Sequence, residues 1–327
     1  MFSVCALAIL GGMYLLAQPY LANKPKGIEK ITIADARFQS FGLVYIALQN
    51  GYFKDEGVDV TFNTFALGKD ALADVAVGNS DIATVFEVPL IRQVYAGQDL
   101  KIISSLHKSN RGTALVVSKK KGVKVVSDLK GKKIAVVKGT NAEFFLFSTL
   151  VSEGIGMEDV TIVDTAVVDI KKVLANGSVD AVAIFHPQLY NISKSFDKEE
   201  IEVIYSDTYT ENSVLAGKTE VIKNKQEALT RVLRALVRAE DFYKANKEES
   251  IQLIAKSLEG TPEVEIRGIW PDYQLSLDLD NVLLTILNRE ARWFRDNGVY
   301  TTEVPDFTKV IFSDYLKSVK SEAVTLF

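Results

Sequence analysis

The chain has 327 residues, and its 38 Lys and Arg against 42 Asp and Glu give a formal net charge of −4 at pH 7. Hydrophobic residues make up 47% and charged residues 24%, a balance that excludes a disordered or fibrous protein. The slight acidity gives no reason to expect nucleic-acid binding. A single cysteine, Cys5, excludes a disulfide framework and a cysteine-based zinc site. The length favours two domains over one.

The chain begins with an apolar segment that carries no charge from Met1 to Asn23. Such a segment is typical of a secretory signal peptide. It would also suffice as a membrane anchor, because about 22 helical residues span roughly 33 Å. We therefore expect residues 1–27 to be a signal peptide or an N-terminal anchor, and the remainder to be exported.

Behind this segment, strand-like and helix-like runs alternate along the chain. The predicted strands are 30–35, 58–62, 82–86, 101–106, 113–118, 133–137, 160–163, 181–185 and 202–205. The predicted helices are 42–50, 70–77, 90–96, 141–153, 170–175, 231–245, 247–258 and 279–294. This alternation predicts an α/β protein with mainly parallel sheets flanked by helices.

One stretch of sequence occurs twice in similar form. Residues 78–86 read Gly-Asn-Ser-Asp-Ile-Ala-Thr-Val-Phe, and residues 177–185 read Gly-Ser-Val-Asp-Ala-Val-Ala-Ile-Phe. Each stretch follows a predicted helix and leads into a loop that contains proline, Pro89 or Pro187. The matched spacing favours two related lobes, although ordinary α/β sequence can also repeat in this way by chance.

Candidate ligand-binding residues follow the predicted strands. Ligands of open α/β sheets bind beyond the carboxyl ends of the strands, so two facing sheets would enclose a cleft there. The residues that we expect to line it are Phe38, Gln39, Ser40, Phe41, Phe86, Glu87, Gly139, Thr140, Asn141, Phe185 and His186.

The apolar and acidic candidates each have a structural alternative. Phe86 and Phe185 would stack on a ligand from opposite lobes, or else simply close each core. Glu87 would accept a hydrogen bond from a ligand ammonium or hydroxyl, or else be a solvated loop carboxylate.

The polar candidates are equally open. Gly139–Asn141 precedes a helix, whose first amides suit an anionic group, but Thr or Asn there is also an ordinary cap. Ser40 would serve equally well as an N-cap. His186 would donate to an acidic ligand or be structural. The segment of His107, Lys108 and Arg111 would add positive potential or be a solvated loop.

Several catalytic motifs are absent from the sequence. It contains no dinucleotide-binding glycine fingerprint, no P-loop, no zincin motif and no nucleophile elbow. A two-lobed α/β chain without such motifs predicts ligand binding without catalysis, and without a metal or cofactor.

Residues from about 31 to 316 resemble the solute-binding proteins of ABC importers that handle nitrate, sulfonates, taurine and thiamine-pyrimidine precursors. The resemblance rests on residues 46–57 (IALQNGYFKDEG), 76–83 (AVGNSDIA), 128–135 (DLKGKKIA) with Gly139-Thr140, and 179–187 (VDAVAIFHP). His186 and Glu143 differ from the residues of many members at these positions.

The resemblance implies a type II periplasmic-binding-protein fold. Lobe 1 would comprise residues 28–115 and 215–327, and lobe 2 residues 116–214. Hinge closure would trap a small organic anion or zwitterion, such as a sulfonate, nitrate or taurine, and deliver it to a membrane permease driven by an ATPase. We expect a monomer in the periplasm or another extracytoplasmic compartment. The alternatives are a receptor for an aromatic or pyrimidine-type metabolite, a metabolite-converting enzyme on the same fold, and an anchored sensor domain.

Overall fold

The computed structural model describes residues 27–207 and 209–326. The predicted leader therefore lies outside the described residues, apart from Gly27. None of the described helices is long and apolar enough to cross a membrane.

The described elements follow the predicted alternation closely. The strands are β1 (Glu29–Asp35), β2 (Val58–Thr64), β3 (Ile82–Phe86), β4 (Leu100–Ser109), β5 (Thr113–Ser118), β6 (Lys133–Val136), β7 (Thr161–Asp164), β8 (Ala181–Phe185), β9 (Ile201–Ile204), β10 (Glu211–Lys218), β11 (Gln274–Leu275), β12 (Leu279–Asp280) and β13 (Val324–Thr325). The helices are α1 (Gly42–Gln49), α2 (Tyr52–Asp55), α3 (Gly68–Ala76), α4 (Glu87–Tyr95), α5 (Asn141–Ser152), α6 (Ile170–Ala175), α7 (Gln188–Ser195), α8 (Thr219–Asn224), α9 (Gln226–Ala245), α10 (Lys247–Ser257), α11 (Glu263–Ile269), α12 (Asn281–Asp296) and α13 (Asp314–Val319).

Two larger sheets organise the molecule. The first has the strand order β11-β4-β10-β3-β1-β2, and the second has the order β7-β6-β8-β5-β9. If β11 is left out and the second order is read in reverse, as β9-β5-β8-β6-β7, the two sheets match strand for strand. Strand β10 of the first sheet then has the position that β5 has in the second. The repeated sequence stretches end in β3 and β8, which occupy equivalent central positions. The internal repeat therefore reflects two similarly built halves.

Most strands of each larger sheet run in one direction, as predicted, but the strands that run oppositely make five of the nine pairings antiparallel. In the first sheet β10 is antiparallel to both β3 and β4, and β11 is antiparallel to β4. In the second sheet β5 is antiparallel to both β8 and β9. Both β5 and β10 come directly from the other sheet after a short crossing. Each of these two strands therefore starts at the edge where the neighbouring strands of its own sheet end, and it runs antiparallel to them.

The chain crosses between the sheets twice, between Ser109 and Thr113 and between Ile204 and Glu211. The Arg111 guanidinium lies 4.0 Å from the centroid of the Tyr205 ring, so the two crossings touch. The predicted lobe boundaries, 115/116 and 214/215, fall a few residues past these crossings, inside β5 and β10.

The aspartate of each repeated stretch has the same structural role. Asp81 Oδ2 accepts a hydrogen bond from the Thr32 amide of β1 at 2.9 Å, and Asp180 Oδ2 accepts one from the Lys133 amide of β6 at 2.8 Å. Each carboxylate thereby holds the start of a central strand beside its parallel neighbour. Gly78 and Gly177, at φ +86° and +71°, end the preceding helices in the left-handed region that glycine adopts most easily.

We expect Asp180→Ala to lower the free energy of unfolding by about 1–2 kcal/mol, because a charge-assisted hydrogen bond to the β6 amide is lost. Asp169→Ala is the matched control, since Asp169 is exposed and its side chain caps no amide. Urea denaturation of the two variants measures the difference. Equal stability of both variants would contradict this role for Asp180.

Candidate functional site

Aromatic rings from both sheets meet at the carboxyl ends of their strands. Phe38 follows β1, and its ring centroid lies 5.7 Å from that of Phe185 at the end of β8 and 6.2 Å from that of Phe86 at the end of β3. Phe41 lies 5.8 Å from Phe86. The four predicted phenylalanines thus form one cluster that joins the two sheets. We call this region, with the polar side chains around it, the cleft.

The turn Gln39–Phe41 is buried at the edge of this cluster. Ser40 caps no helix. Its side chain is fully buried, and its hydroxyl has no hydrogen-bond partner in the described chain. Gln39 Nε2 donates to Glu265 Oε1 at 3.2 Å, while Gln39 Oε1 has no donor. Buried polar atoms are normally paired, so these two atoms are exceptions.

Two histidines lie beside the aromatic cluster. The ring of Tyr273 connects them, with its centroid 4.5 Å from that of His107 and 5.9 Å from that of His186. None of the four imidazole nitrogens makes a hydrogen bond within the described chain. Burial, with a smaller contribution from His186, lowers the pKa of His107 to about 3, so this ring is neutral at physiological pH.

The solvated loop that we considered as the alternative for His107 and Lys108 is wrong. The sequence suggested that β4 ends at Leu106, but the strand continues to Ser109 because both β10 and β11 pair with its last residues. His107 is consequently fully buried. Lys108 is half-buried and contacts Asp278 and Asp280, each at 2.7 Å.

The start of α5 joins the two sheets through its polar residues. The Gly139 amide donates to Glu143 Oε2 at 2.9 Å, and Arg92 of α4 contacts the same oxygen at 2.6 Å. Thr140 Oγ1 donates to the Val137 carbonyl, so Thr140 is not a side-chain cap. Asn141 points toward β10. These contacts hold the helix start in place across the cleft.

Glu87 begins α4 and is fully buried, so its alternative as a solvated loop carboxylate is wrong. Its Oε1 accepts from the Tyr209 hydroxyl, and its Oε2 accepts from the Asn212 amide at 2.7 Å. Burial raises the pKa of Glu87 to about 7, against the lowering effect of these donors. Both oxygens are therefore engaged by the protein's own groups.

The sequence did not single out Glu211, which the structure places between the sheets. Its Oε2 accepts from Thr113 Oγ1 at 2.6 Å and from Asn141 Nδ2 at 3.0 Å, and its Oε1 lies 3.9 Å from His107 Nε2. Burial is the main cause that raises the pKa of Glu211 to about 8. Glu211 opens a segment whose first three residues are polar, so the local sequence gave no signal for a strand or a buried carboxyl there.

Tyr273 was also missed. It follows the short turn Trp270–Asp272 and precedes β11, a two-residue strand too short to recognise from sequence. Among the described residues no group of His, Cys, Asp and Glu could hold a metal ion.

The comparisons with known proteins agree with this architecture. Residues 39–250 match the family model described as NMT1/THI5 like. The chain belongs to the NMT1/THI5-like family. The family assignment covers both crossings and every cleft segment except Phe38 and Tyr273.

Two curated relatives are named as binding proteins. A Brucella abortus (strain 2308) protein, named only as a binding protein, is 25% identical over 68% of this chain and 69% of its own length. A Bacillus subtilis (strain 168) protein, named for binding aliphatic sulfonates, is 29% identical over 66% of each chain.

Solved structures share the fold of this NMT1/THI5-like chain. The alkanesulfonate-binding protein SsuA from Xanthomonas axonopodis pv. citri, bound to MOPS, superposes with a TM-score of 0.72 at 19% identity, over 93% of this chain and 100% of its own. The desulfurization enzyme DSZB superposes at 0.69 with 15% identity, over 90% and 99%. The periplasmic-binding-protein fold and the family resemblance are thus confirmed, and the fold accommodates both binding proteins and an enzyme.

Proposed function

We propose that this protein is the substrate-binding component of an ABC importer, which captures a small organic solute in the cleft and releases it unchanged to a membrane permease. The observation that carries the proposal is the set of buried polar atoms on Ser40, Gln39 and His107 that make no hydrogen bond in the described chain, beside His186, whose Nε2 lies 3.5 Å from Asp272 Oδ2. Each such atom costs about 1–3 kcal/mol when left unsatisfied. A polar ligand that bonds to them would offset this cost and favour the closed arrangement.

Contacts between the two sheets support closure around the ligand. Phe38 meets Phe185 across the cleft, Arg92 pairs with Glu143, and Lys69 Nζ donates to the Lys138 carbonyl at 2.9 Å. We infer that the halves rotate about the two crossings and that these contacts form on closing. The lobes would then meet at the crossings, near the boundaries predicted from sequence.

The relatives' names supply the first ligands to test. The B. subtilis relative is named for aliphatic sulfonates, so small sulfonates, as anions or zwitterions, are the first candidates for this chain. Action in an importer also requires export and contact with a permease and its ATPase. We propose that the receptor is a monomer and lies outside the cytoplasm.

A metabolite-converting enzyme is the second candidate, because DSZB shares the fold and because burial raises the pKa of Glu87 to about 7. A general acid or base must reach the ligand with a free oxygen. Both oxygens of Glu87 already accept from Tyr209 and Asn212. We therefore favour a structural role for Glu87 and a receptor without catalysis.

Ser40→Ala tests the receptor directly. The Ser40 hydroxyl has no partner in the described chain, so its removal should leave the stability of the ligand-free protein unchanged or slightly higher. It should weaken ligand binding about tenfold, equivalent to roughly 1.4 kcal/mol. The matched control is Ser193→Ala, since Ser193 donates only to the Tyr190 carbonyl on α7.

The measurement combines thermal unfolding, small-angle scattering and mass spectrometry of the recovered solute, with a panel of small sulfonates and other polar metabolites. The expected result is a solute that raises the melting temperature, compacts the protein and is recovered intact. A solute that is consumed would establish an enzyme instead. Absence of compaction with every solute would contradict the receptor.

A further inference from the structure

The charged groups at the cleft are unevenly distributed. The cations nearby have partners within the chain: Arg92 is paired with Glu143, Arg111 with Asp272 at 3.2 Å, and Arg37 donates to the Ser257 carbonyl. Lys69 donates to the Lys138 carbonyl, and Lys108 contacts two aspartates. These five cations thus each contact a carboxylate or a backbone carbonyl of the described chain.

Glu211 is differently placed. Donors from the second sheet, Thr113 and Asn141, hold one of its oxygens, while the other oxygen lies 3.9 Å from the unpartnered Nε2 of His107. In the β4–β10 ladder Glu211 pairs with Ser109 and Ser213 pairs with His107, so Glu211 and His107 lie on the same face of the first sheet. The cleft therefore presents a positioned acceptor beside aromatic rings.

We propose, on the basis of the receptor function above, that Glu211 determines ligand specificity by selecting solutes with an N–H donor or cationic nitrogen group over solutes that carry only a sulfonate or carboxylate. An N–H group would bond to the free oxygen of Glu211, and the rings of Phe38, Phe86 and Tyr273 suit a planar cation or amide. Above pH 8, a solute with only negative charge would meet the ionised carboxylate of Glu211. Among sulfonates, a zwitterion would thus be preferred to a simple alkanesulfonate.

The protonation of Glu211 makes this selection depend on pH. Burial raises its pKa to about 8, and nearby Glu87 and Asp272 add to the shift, whereas the donors Thr113 and Asn141 oppose it. His107, which faces it from β4, stays neutral. A cation that binds to Glu211 must displace the carboxyl proton below pH 8. Its affinity should therefore increase about tenfold per pH unit from pH 6 to pH 8, while affinity for an anion should not increase.

The test uses three probes with one common ring: benzamidinium, benzamide and benzenesulfonate. Titration calorimetry of the whole chain at pH 9, where the Glu211 carboxyl is ionised, should give at least tenfold tighter binding of benzamidinium than of benzenesulfonate. Glu211→Gln should weaken benzamidinium at least tenfold, change benzamide by less than threefold, and strengthen benzenesulfonate. Glu240→Gln is the matched control, because Glu240 of α9 is also buried but is paired with Lys244 of the same helix and with Lys320, which follows α13.

The proposal would be overturned if the unchanged protein bound benzenesulfonate as tightly as benzamidinium or more tightly. It would also be overturned if Glu211→Gln left the affinities for the three probes unchanged. Failure of all three probes to bind at millimolar concentration would overturn it too. The receptor function is judged separately by the solute panel: a sulfonate that compacts the protein without any N–H preference would leave the receptor intact and remove the role of Glu211.

Discussion

The ligand-free protein should lose several kcal/mol of unfolding free energy between pH 5 and pH 8. Three fully buried carboxyls cause this loss. Burial raises the pKa of Glu87 to about 7 and that of Glu211 to about 8, and it raises the pKa of Glu290 well above its usual range. Both oxygens of Glu290 lack hydrogen-bond partners in the described chain, and only the charge of Arg289 nearby favours its ionised form.

The sign follows from where each proton is held. In the unfolded chain these groups ionise near 4.5, whereas in the folded chain they keep their protons to higher pH. Raising the pH above 4.5 therefore favours the unfolded state by about 1.4 kcal/mol per pH unit for each carboxyl. The loss ends near pH 7 for Glu87 and near pH 8 for Glu211. His107 acts oppositely: below pH 6.5 the unfolded imidazole gains a proton that the folded one refuses.

Urea denaturation at half-unit steps from pH 5 to pH 8.5 measures this dependence. The single variants are Glu87→Gln, Glu211→Gln and Glu290→Gln. In each variant the unfolding free energy should vary less with pH between the unfolded-state and folded-state pKa of the replaced carboxyl. Glu322→Gln is the control, because Glu322 is exposed. A stability that increases from pH 5 to pH 8, or a triple variant with the slope of the unchanged protein, would contradict the assignment.

Local patterns in the sequence predicted the elements whose residues are neighbours along the chain. The strands β3 and β8 were placed with their correct bounds, because a glycine stop, an aspartate and a buried apolar run all lie within nine residues. The long helix α9 was recognised from its buried apolar positions Val232, Leu233 and Leu236, although its first turn was not. The predicted cleft segments lie together because each of them lies at or just after the end of a strand, whereas their contact with a ligand stays a prediction.

The remaining features depend on residues far apart in sequence. β10 begins with Glu211, Asn212 and Ser213, a polar start without strand character, and its pairing with β3 and β4 decides its conformation. Tyr273 reaches the cleft only because β11 pairs with the end of β4. The pKa shifts arise from burial and could not be read from a sequence that gives no burial.

Glu87 connects the first sheet to the second crossing and, through it, to α5. The ring of Tyr209, which donates to Glu87, lies 5.7 Å from that of Phe144 and 6.0 Å from that of Phe145. The Asn212 amide, at the start of β10, donates to the other oxygen of Glu87. One carboxyl therefore fixes the position of the segment about which the two halves would rotate.

Glu87→Ala should accordingly cost about 3–5 kcal/mol of unfolding free energy at pH 5, because the buried Tyr209 hydroxyl and Asn212 amide both lose their acceptor. Glu87→Gln keeps an acceptor oxygen of similar shape and should cost about 1–2 kcal/mol. A double-mutant cycle with Tyr209→Phe, measured by urea denaturation with Glu322→Ala as the exposed control, isolates their interaction. Two results would show that this carboxyl does not hold the crossing. One is strict additivity of the changes in unfolding free energy caused by the Glu87 and Tyr209 substitutions, and the other is equal stability of Glu87→Ala and Glu87→Gln. If the carboxyl does hold the crossing, Glu87→Ala should also weaken every ligand by a common factor, since fewer molecules would have the closed arrangement.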